Sequence, residues 1–519
     1  MRLPAVAGAL LLLPLAQPVT YDVIVRGGRV LDGTGNPWYR ADVGIQGGRI
    51  AAVSRLEGAP ARVVLDATDL YVAPGFIDVH SHAAEGLDEP QLRQARPLLA
   101  QGLTTVVLNP DGGGPWPLSE QRATYEKQGI GVNAALLVGH GTVREMVLGM
   151  ADRAPTASEL EKMKSLVRDG VAAGAFGLSS GLYYAPGSYA ATGEVVALAR
   201  EVAPSGVYTS HIRDEGDYTV GLVGAVDEVI AIAEGAGVAG VVTHFKALGP
   251  ENWGKSVPAC IHIERARERG VQVWVDQYPY DASGTSIVGA LVPRWAEAGG
   301  RLELARRLRD PIDRKRLRDD MLANLKRRGG ASKLVISRFV EDPSLEGRSL
   351  EDVAGERKVE PVDLALALLE SGSAGLISFN MSELDIENIM KKDYTMTSTD
   401  GGLVPLGSGK PHPRAYGAFS RKIERYVVDR EVIGLAHAIR SMTSLPATVF
   451  GFSDRGVIRE GAWADVVVFD LARVRERATY AEPHQFSEGV VYSLVNGKVA
   501  VRGGEFTGAL AGQVLHPRR

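Results

Sequence analysis

The chain is predicted to fold as an α/β protein: a (β/α)8 barrel carrying a small β-sandwich built from both termini and an inserted helical subdomain. Three observations point there. A strand-then-helix rhythm repeats through the middle of the sequence. Short alternating strands with glycine turns occupy both ends. Histidines and aspartates stand at the ends of several central strands, where such a barrel places its active site.

The order of elements follows. Met1-Arg2 precedes an apolar run over 3–16, shorter than the roughly 20 residues of a bilayer span. Residues 1–19 are therefore expected to be a signal peptide, and the protein to be periplasmic or secreted; without cleavage it would stay in the cytoplasm. Residues 20–70 alternate apolar and polar between Gly-Gly and Asp-Gly turns, and 444–519 repeat that texture with a hairpin turn at Asn496-Gly497. These ends are read as one β domain. Between them, over 71–443, strands are expected at 76–80, 104–108, 133–138, 175–178, 207–211, 240–244, 271–276 and 394–399. Helical patterns such as 157–173 and 222–234 fall between them. The stretch at about 293–373 is too long for one crossover and is expected to be an inserted, mostly helical subdomain.

Composition removes several classes of function. Fifty-eight Lys and Arg against 62 Asp and Glu give a formal charge of −4, with no basic excess for nucleic acid. No segment after the leader is long and apolar enough for a stable membrane span. The single cysteine, Cys260, lies in a helical pattern and reads as a small buried residue. Nothing in the sequence sets an oligomeric state.

The chemistry sits at the strand ends. In Phe76-Ile-Asp-Val-His80-Ser-His82 a strand is expected to project His80 and His82 to one side, because strand side chains alternate. His211, His244, Asp111 and Asp400 also follow apolar strands. Four imidazoles aimed at one barrel axis would carry unpaired ring nitrogens unless they hold a metal. Nitrogen and carboxylate donors without thiolate suit Zn2+, as one or two ions, with other divalent metals accepted. Asp400 is placed to take a proton from water and return it to a leaving amine. His140 ends the third strand and is expected either to contact substrate or to support a neighbouring residue.

This constellation resembles the amidohydrolase superfamily and, within it, the N-acyl-D-amino-acid deacylases (D-aminoacylases). The likeness is carried by Gly139-His-Gly-Thr-Val-Arg144, Arg153-Ala-Pro-Thr156, Gly177-Leu-Ser-Ser-Gly-Leu-Tyr-Tyr-Ala-Pro-Gly187 and Ser210-His-Ile-Arg-Asp-Glu-Gly216. Gly249-Pro-Glu-Asn-Trp-Gly254, Asp276-Gln-Tyr-Pro-Tyr280 and His412-Pro-Arg-Ala-Tyr-Gly417 extend it. The resemblance implies a metal-dependent hydrolase that splits the amide of a small N-acylated D-amino acid. It implies a tight metal position at His211 and His244, a weaker one at His80 and His82, and Asp400 as general base and acid. Arg414 would pair with the substrate α-carboxylate. Tyr278 and a hydroxyl of Ser283 or Thr285 would seat the same end, and Lys246 would lie nearby.

One departure stands out. Where family members carry a metal-ligating cysteine after the second strand, this chain reads Thr104-Thr-Val-Val-Leu-Asn-Pro-Asp111. Asp111 is expected to ligate in the thiolate's place, which would loosen metal binding, alter metal preference or change the number of ions. Alternative readings keep the site and change the substrate, to a cyclic amide as for hydantoinases and dihydroorotases, or to a peptide ending in a D-residue. A further alternative is an inactive metal-binding relic. Preferred acyl group and side chain are not legible; loop 401–410 and the insertion are expected to decide them.

Overall fold

Eight parallel strands make the barrel of this computed structural model, which describes residues 20–517. They are β1 (Phe76–Asp78), β2 (Leu103–Leu108), β3 (Asn133–Leu136, resuming as Val138–Gly139), β4 (Gly177–Gly181), β5 (Val207–His211), β6 (Ala239–Val242), β7 (Val273–Gln277) and β8 (Thr395–Thr397). Each pairs with the next in parallel. The ring closes where Asp400 N donates to His80 O at 2.9 Å and where His82 and Gly402 form a parallel bridge. The leader expected at 1–19 lies outside the described residues, and no described helix is long and apolar enough to cross a membrane.

Strand periodicity explains how the barrel is filled. Val107, Val207, Val241 and Met396 pack into its lower part against Leu445, Phe450 and Phe452, which plug it from below. Each such buried side chain contributes roughly 1.5–3 kcal/mol. Four residues beyond Val207 on the same face of β5 stands His211, so one alternation fills the core and equips the mouth; Asp400 stands three residues past the end of β8. Helices cover the outside. The one at Ala157–Ala172 begins with a capping box between Thr156 and Glu159, a pairing legible in Thr-x-x-Glu.

The termini meet in a nine-stranded sheet. Val466–Phe469 runs antiparallel to Tyr71–Pro74 and joins the two halves. Its hairpin turns at Asn496 and Gly497, with φ +50° and +78° as an Asn-Gly turn between two-residue-linked strands requires. The inserted segment has its own core around Leu317, Met321, Leu334 and Leu364. Its helices include Arg301–Arg309, Pro311–Arg327, Leu350–Arg357 and Pro361–Ser371. Asp310 caps the second of these by accepting from Ile312 N and Asp313 N, with Pro311 in the first turn. The insertion reaches past the expected 293–373 on both sides: Leu334–Arg338 joins the flanking strands Ser283–Ser286 and Gly375–Ser378 in a three-stranded antiparallel sheet, which the helical pattern alone did not announce. Ser283 thereby rides on a strand of this sheet while lining the cavity at the barrel mouth.

Candidate active site

His80, His82, Asp111, His211, His244 and Asp400 converge at the carboxyl ends of the strands. Asp111 is the pivot. Its Oδ1 lies 3.4 Å from His80 Nε2, 3.7 Å from His211 Nδ1 and 3.6 Å from His244 Nε2, and its Oδ2 lies 3.4 Å from His82 Nε2. Asp400 Oδ1 faces the same pair, 3.2 Å from His82 Nε2 and 3.6 Å from His80 Nε2. Two ligand groups result: His80, His82, Asp111 and Asp400, and Asp111, His211 and His244. Asp111 belongs to both, so the carboxylate at the cysteine's place could serve either group.

The donors fit a divalent ion. His80 Nε2 and Asp111 Oδ1, buried and facing one another in the first ligand group, have no hydrogen-bond partner, an arrangement costly unless a cation takes them. All donors are nitrogen or oxygen, and Cys260 is buried in the helix Ser256–Glu268. Burial raises the proton affinity of Asp111, but His80 and the other imidazoles outweigh it and hold the carboxyl well below its ordinary range. Asp111, His244 and Asp400 have φ of +57°, +37° and +50°, unusual for residues with a β-carbon and a mark of backbone constrained at a site. Beside Asp111, Gly112 at φ +74° leaves no room for a side chain: a Cβ would fall 2.7 Å from Gly181 N.

The route by which two ligands arrive differs from expectation. Ile77 and Val79 face the lower barrel core, β1 ends at Asp78, and a bend at residues 79–80 carries His80 and His82 across the mouth. The pair is aimed by this bend, not by an extended strand.

The substrate-facing residues sort as follows. Arg414 Nη1 lies 2.5 Å from Asp400 Oδ2, and its guanidinium stacks 4.6 Å from the Tyr278 ring centre. Burial raises the Asp400 pKa, but Arg414 and the imidazoles pull it far below the usual carboxylate range. Tyr278, Ser283, Thr285 and Lys246 line a narrow cavity of about 30 Å³ with Asp111, His211, His244 and Asp400. Ser283 Oγ donates to Asn380 Oδ1 at 3.3 Å. Lys246 is buried behind His244, its Nζ 2.7 Å from His244 Nδ1, and pairs with Glu215.

His140 does not join the cavity wall. Its Nε2 lies 3.0 Å from Glu194 Oε1, and Glu194 also binds Arg144, all three buried. The cause is local: β3 breaks at Leu137, and His140 becomes the first residue of the helix His140–Leu148 instead of the last of a strand. Of the two expectations for His140, contact with substrate or support of a neighbour, the structure shows a buried contact with Glu194 and no place in the cavity wall.

Other participants escaped the sequence reading. Glu215 Oε1 sits 3.0 Å from His244 Nδ1 and orients that ring. Asp78 accepts from Thr399 N at 2.9 Å, Thr399 Oγ1 at 2.5 Å and His80 N at 3.2 Å; Asp276 accepts from His244 N at 2.9 Å and Ser398 Oγ at 2.6 Å. Asp78 stands two residues before His80 and Glu215 four after His211, and these offsets were the available signals.

A closed barrel with carboxylate-joined imidazole groups at its mouth, and a carboxylate beside a guanidinium, defines a metal-dependent hydrolase site. The chain belongs to the amidohydrolase family, whose model matches residues 63–501. It is 38% identical over 500 residues to an N-acyl-D-glutamate deacylase of Alcaligenes xylosoxydans xylosoxydans, covering 92% of this chain and 93% of the relative. A D-aminoacylase of the same organism is 33% identical, over 96% of this chain and 98% of the relative. The structure of N-acyl-D-glutamate deacylase from Bordetella bronchiseptica, complexed with zinc and a phosphonate mimic of the tetrahedral intermediate, superposes with a TM-score of 0.83. It is 35% identical, over 96% of this chain and all of that one.

Proposed function

We propose that this protein hydrolyses the amide of N-acylated D-amino acids, releasing a carboxylate and a free D-amino acid. The observation that carries the reading is the juxtaposition, in one barrel mouth, of two Asp111-sharing ligand groups with the Asp400–Arg414 pair. The D configuration rests on the named relatives, which cover the chain almost end to end.

His211, His244 and Asp111 would hold one divalent ion, and His80, His82, Asp111 and Asp400 a second; such an ion supplies Lewis acidity to the scissile carbonyl and lowers the pKa of water. Arg414 pairs with the substrate α-carboxylate through its planar fork. That contact draws the guanidinium away from Asp400, whose Oδ2 it holds at 2.5 Å, and so raises the proton affinity of the carboxylate. Asp400 takes the proton of the attacking water and returns it to the leaving nitrogen. Tyr278, stacked on Arg414, fixes the plane in which the α-carboxylate is received. Glu215 and Lys246 hold the His244 ring from behind.

The test is a screen of N-acetyl-D- and N-acetyl-L-amino acids and D-terminal dipeptides, read by released amine. Turnover of the D series, lost on chelation and restored by divalent metal, is expected. Turnover confined to L-substrates or to cyclic amides would refute the reading. The apolar run at 3–16 supports export as part of the same proposal; N-terminal sequencing of the mature protein should find the leader removed.

A further inference from the structure

Five arginines are buried, and four of them have a carboxylate partner: Arg122 with Glu126, Arg144 with Glu194, Arg414 with Asp400 and Arg455 with Asp465. The fifth, Arg328, directly follows the inserted helix Pro311–Arg327, is 2% exposed, and forms no ion pair with any described residue. Its Nε donates to Ala290 O at 2.9 Å, Nη1 to Ser378 Oγ at 3.2 Å and Nη2 to Tyr183 Oη at 3.3 Å. All three acceptors are neutral, and two of its five N–H groups remain uncommitted. Burying an unpaired charge is expensive. Lys422, the other buried cation lacking a carboxylate, relieves that cost by losing its proton more easily, its pKa pushed down to about 7 by burial. Arginine has no such relief, because guanidinium stays charged.

Arg328 lines the same cavity as Asp111, His211, His244 and Asp400. Asn380, whose Oδ1 accepts from cavity-lining Ser283, keeps its buried Nδ2 without a partner. The cavity therefore presents a guanidinium that no described carboxylate pairs with, separate from the Arg414 that is engaged by Asp400.

We propose that Arg328 receives a second carboxylate of the substrate, so that the enzyme prefers N-acyl-D-amino acids that carry an acid group besides the α-carboxylate. This rests on the deacylase reading above. The second acid can belong to the amino-acid side chain or to a dicarboxylic acyl group; both offer the planar anion that a guanidinium fork binds.

Initial rates of the full-length, metal-loaded protein should be measured on N-acetyl-D-glutamate, its neutral isostere N-acetyl-D-glutamine, N-acetyl-D-leucine and N-succinyl-D-leucine. One charged hydrogen-bonded pair predicts kcat/KM at least about tenfold higher for glutamate than for glutamine. Preference for the succinyl over the acetyl leucine derivative would place the acid on the acyl side instead. In Arg328→Met the ratio of acid to neutral substrate should collapse toward one, chiefly through KM, and Arg328→Lys should restore part of it. Equal kcat/KM on acid and neutral members of both pairs in the unaltered protein overturns the inference, whatever the folding of the variants. So does a ratio that survives in folded Arg328→Met. If no N-acyl-D-amino acid is turned over, the deacylase reading falls, and Arg328 is then judged by binding. N-acetyl-D-glutamate, but not the glutamine analogue, should raise the melting temperature of the unaltered protein; identical shifts overturn the inference.

Discussion

Asp400, the proposed general base, sits in a conformation few aspartates adopt, with φ +50°, its backbone N–H on His80 O and one oxygen on Arg414. Asp400→Asn preserves shape and removes the proton acceptor. Turnover should fall about 100- to 10,000-fold, the range for loss of a positioned acid–base group. Metal that Asp111, His211 and His244 would hold should be retained, as metal analysis of the same sample will show; activity within a few-fold of the parent would remove Asp400 from the mechanism. Lys422 offers a second test at this scale. It donates to Thr397 Oγ1 and Ser441 Oγ, both at 2.8 Å, beneath β8. Its folded pKa is about 7, below the unfolded value of roughly 10.4. Between those values the unfolded chain binds the extra proton, so this group makes stability rise with pH across that window, and its burial cost is complete below it. Lys422→Met should therefore melt higher than the parent at pH 6, by several degrees, with the gap narrowing toward pH 10. Equal melting of both proteins at both pH values would contradict this.

At the scale of elements, the segment after β8 is clamped from both sides. Asp78 on β1 binds Thr399 twice, and Asp276 on β7 binds Ser398 and the His244 backbone. Asp78→Ala strips acceptors from three buried donors, at roughly 1–3 kcal/mol for each left unsatisfied. Both melting temperature and kcat should fall, because Thr399, the residue before Asp400, is released; a normal kcat in a folded variant would mean the clamp is structural only. These contacts mark where sequence reading stops. His211 was legible because period-two alternation runs through β5 to the mouth, and Asp400 because it closely follows the apolar run of β8, although it lies past the strand's end with φ +50°. His80 and His82 were found by spacing although a bend, not alternation, aims them. His140 was expected at a strand end, whereas a single-residue break in β3 starts a helix there and turns its ring to Glu194. Asp78, Asp276 and Glu215 act across neighbouring strands, and Arg328 acts from the insertion; no local pattern encodes such contacts. D-selectivity was read from resemblance alone, since no spacing of residues expresses chirality.

Over the whole molecule, the terminal sheet and the barrel share one buried polar network. Asp465 binds Arg455 through Oδ2, which also accepts from Asn133 Nδ2 at 3.2 Å, while Oδ1 accepts from Asn496 N at 2.7 Å. Asn496 returns Nδ2 to Asn133 Oδ1 at 2.7 Å, and Arg455 Nη2 reaches Asn496 Oδ1 at 2.8 Å. Asn133 opens β3, so the network ties a barrel strand to the hairpin turn of the terminal sheet. Chain segments more than 300 residues apart are thereby joined, the Asn133–Asp465 separation being 332. Asp465→Ala leaves Arg455 charged and buried, a loss of about 3–5 kcal/mol. Because the orphaned groups belong to both units, barrel and sheet should still unfold together, in one calorimetric transition moved down by several degrees. Activity should disappear with that transition and not before it. Two resolved transitions, with the terminal sheet melting first while turnover persists, would mean that the sheet is an appendage and that the barrel alone holds the site.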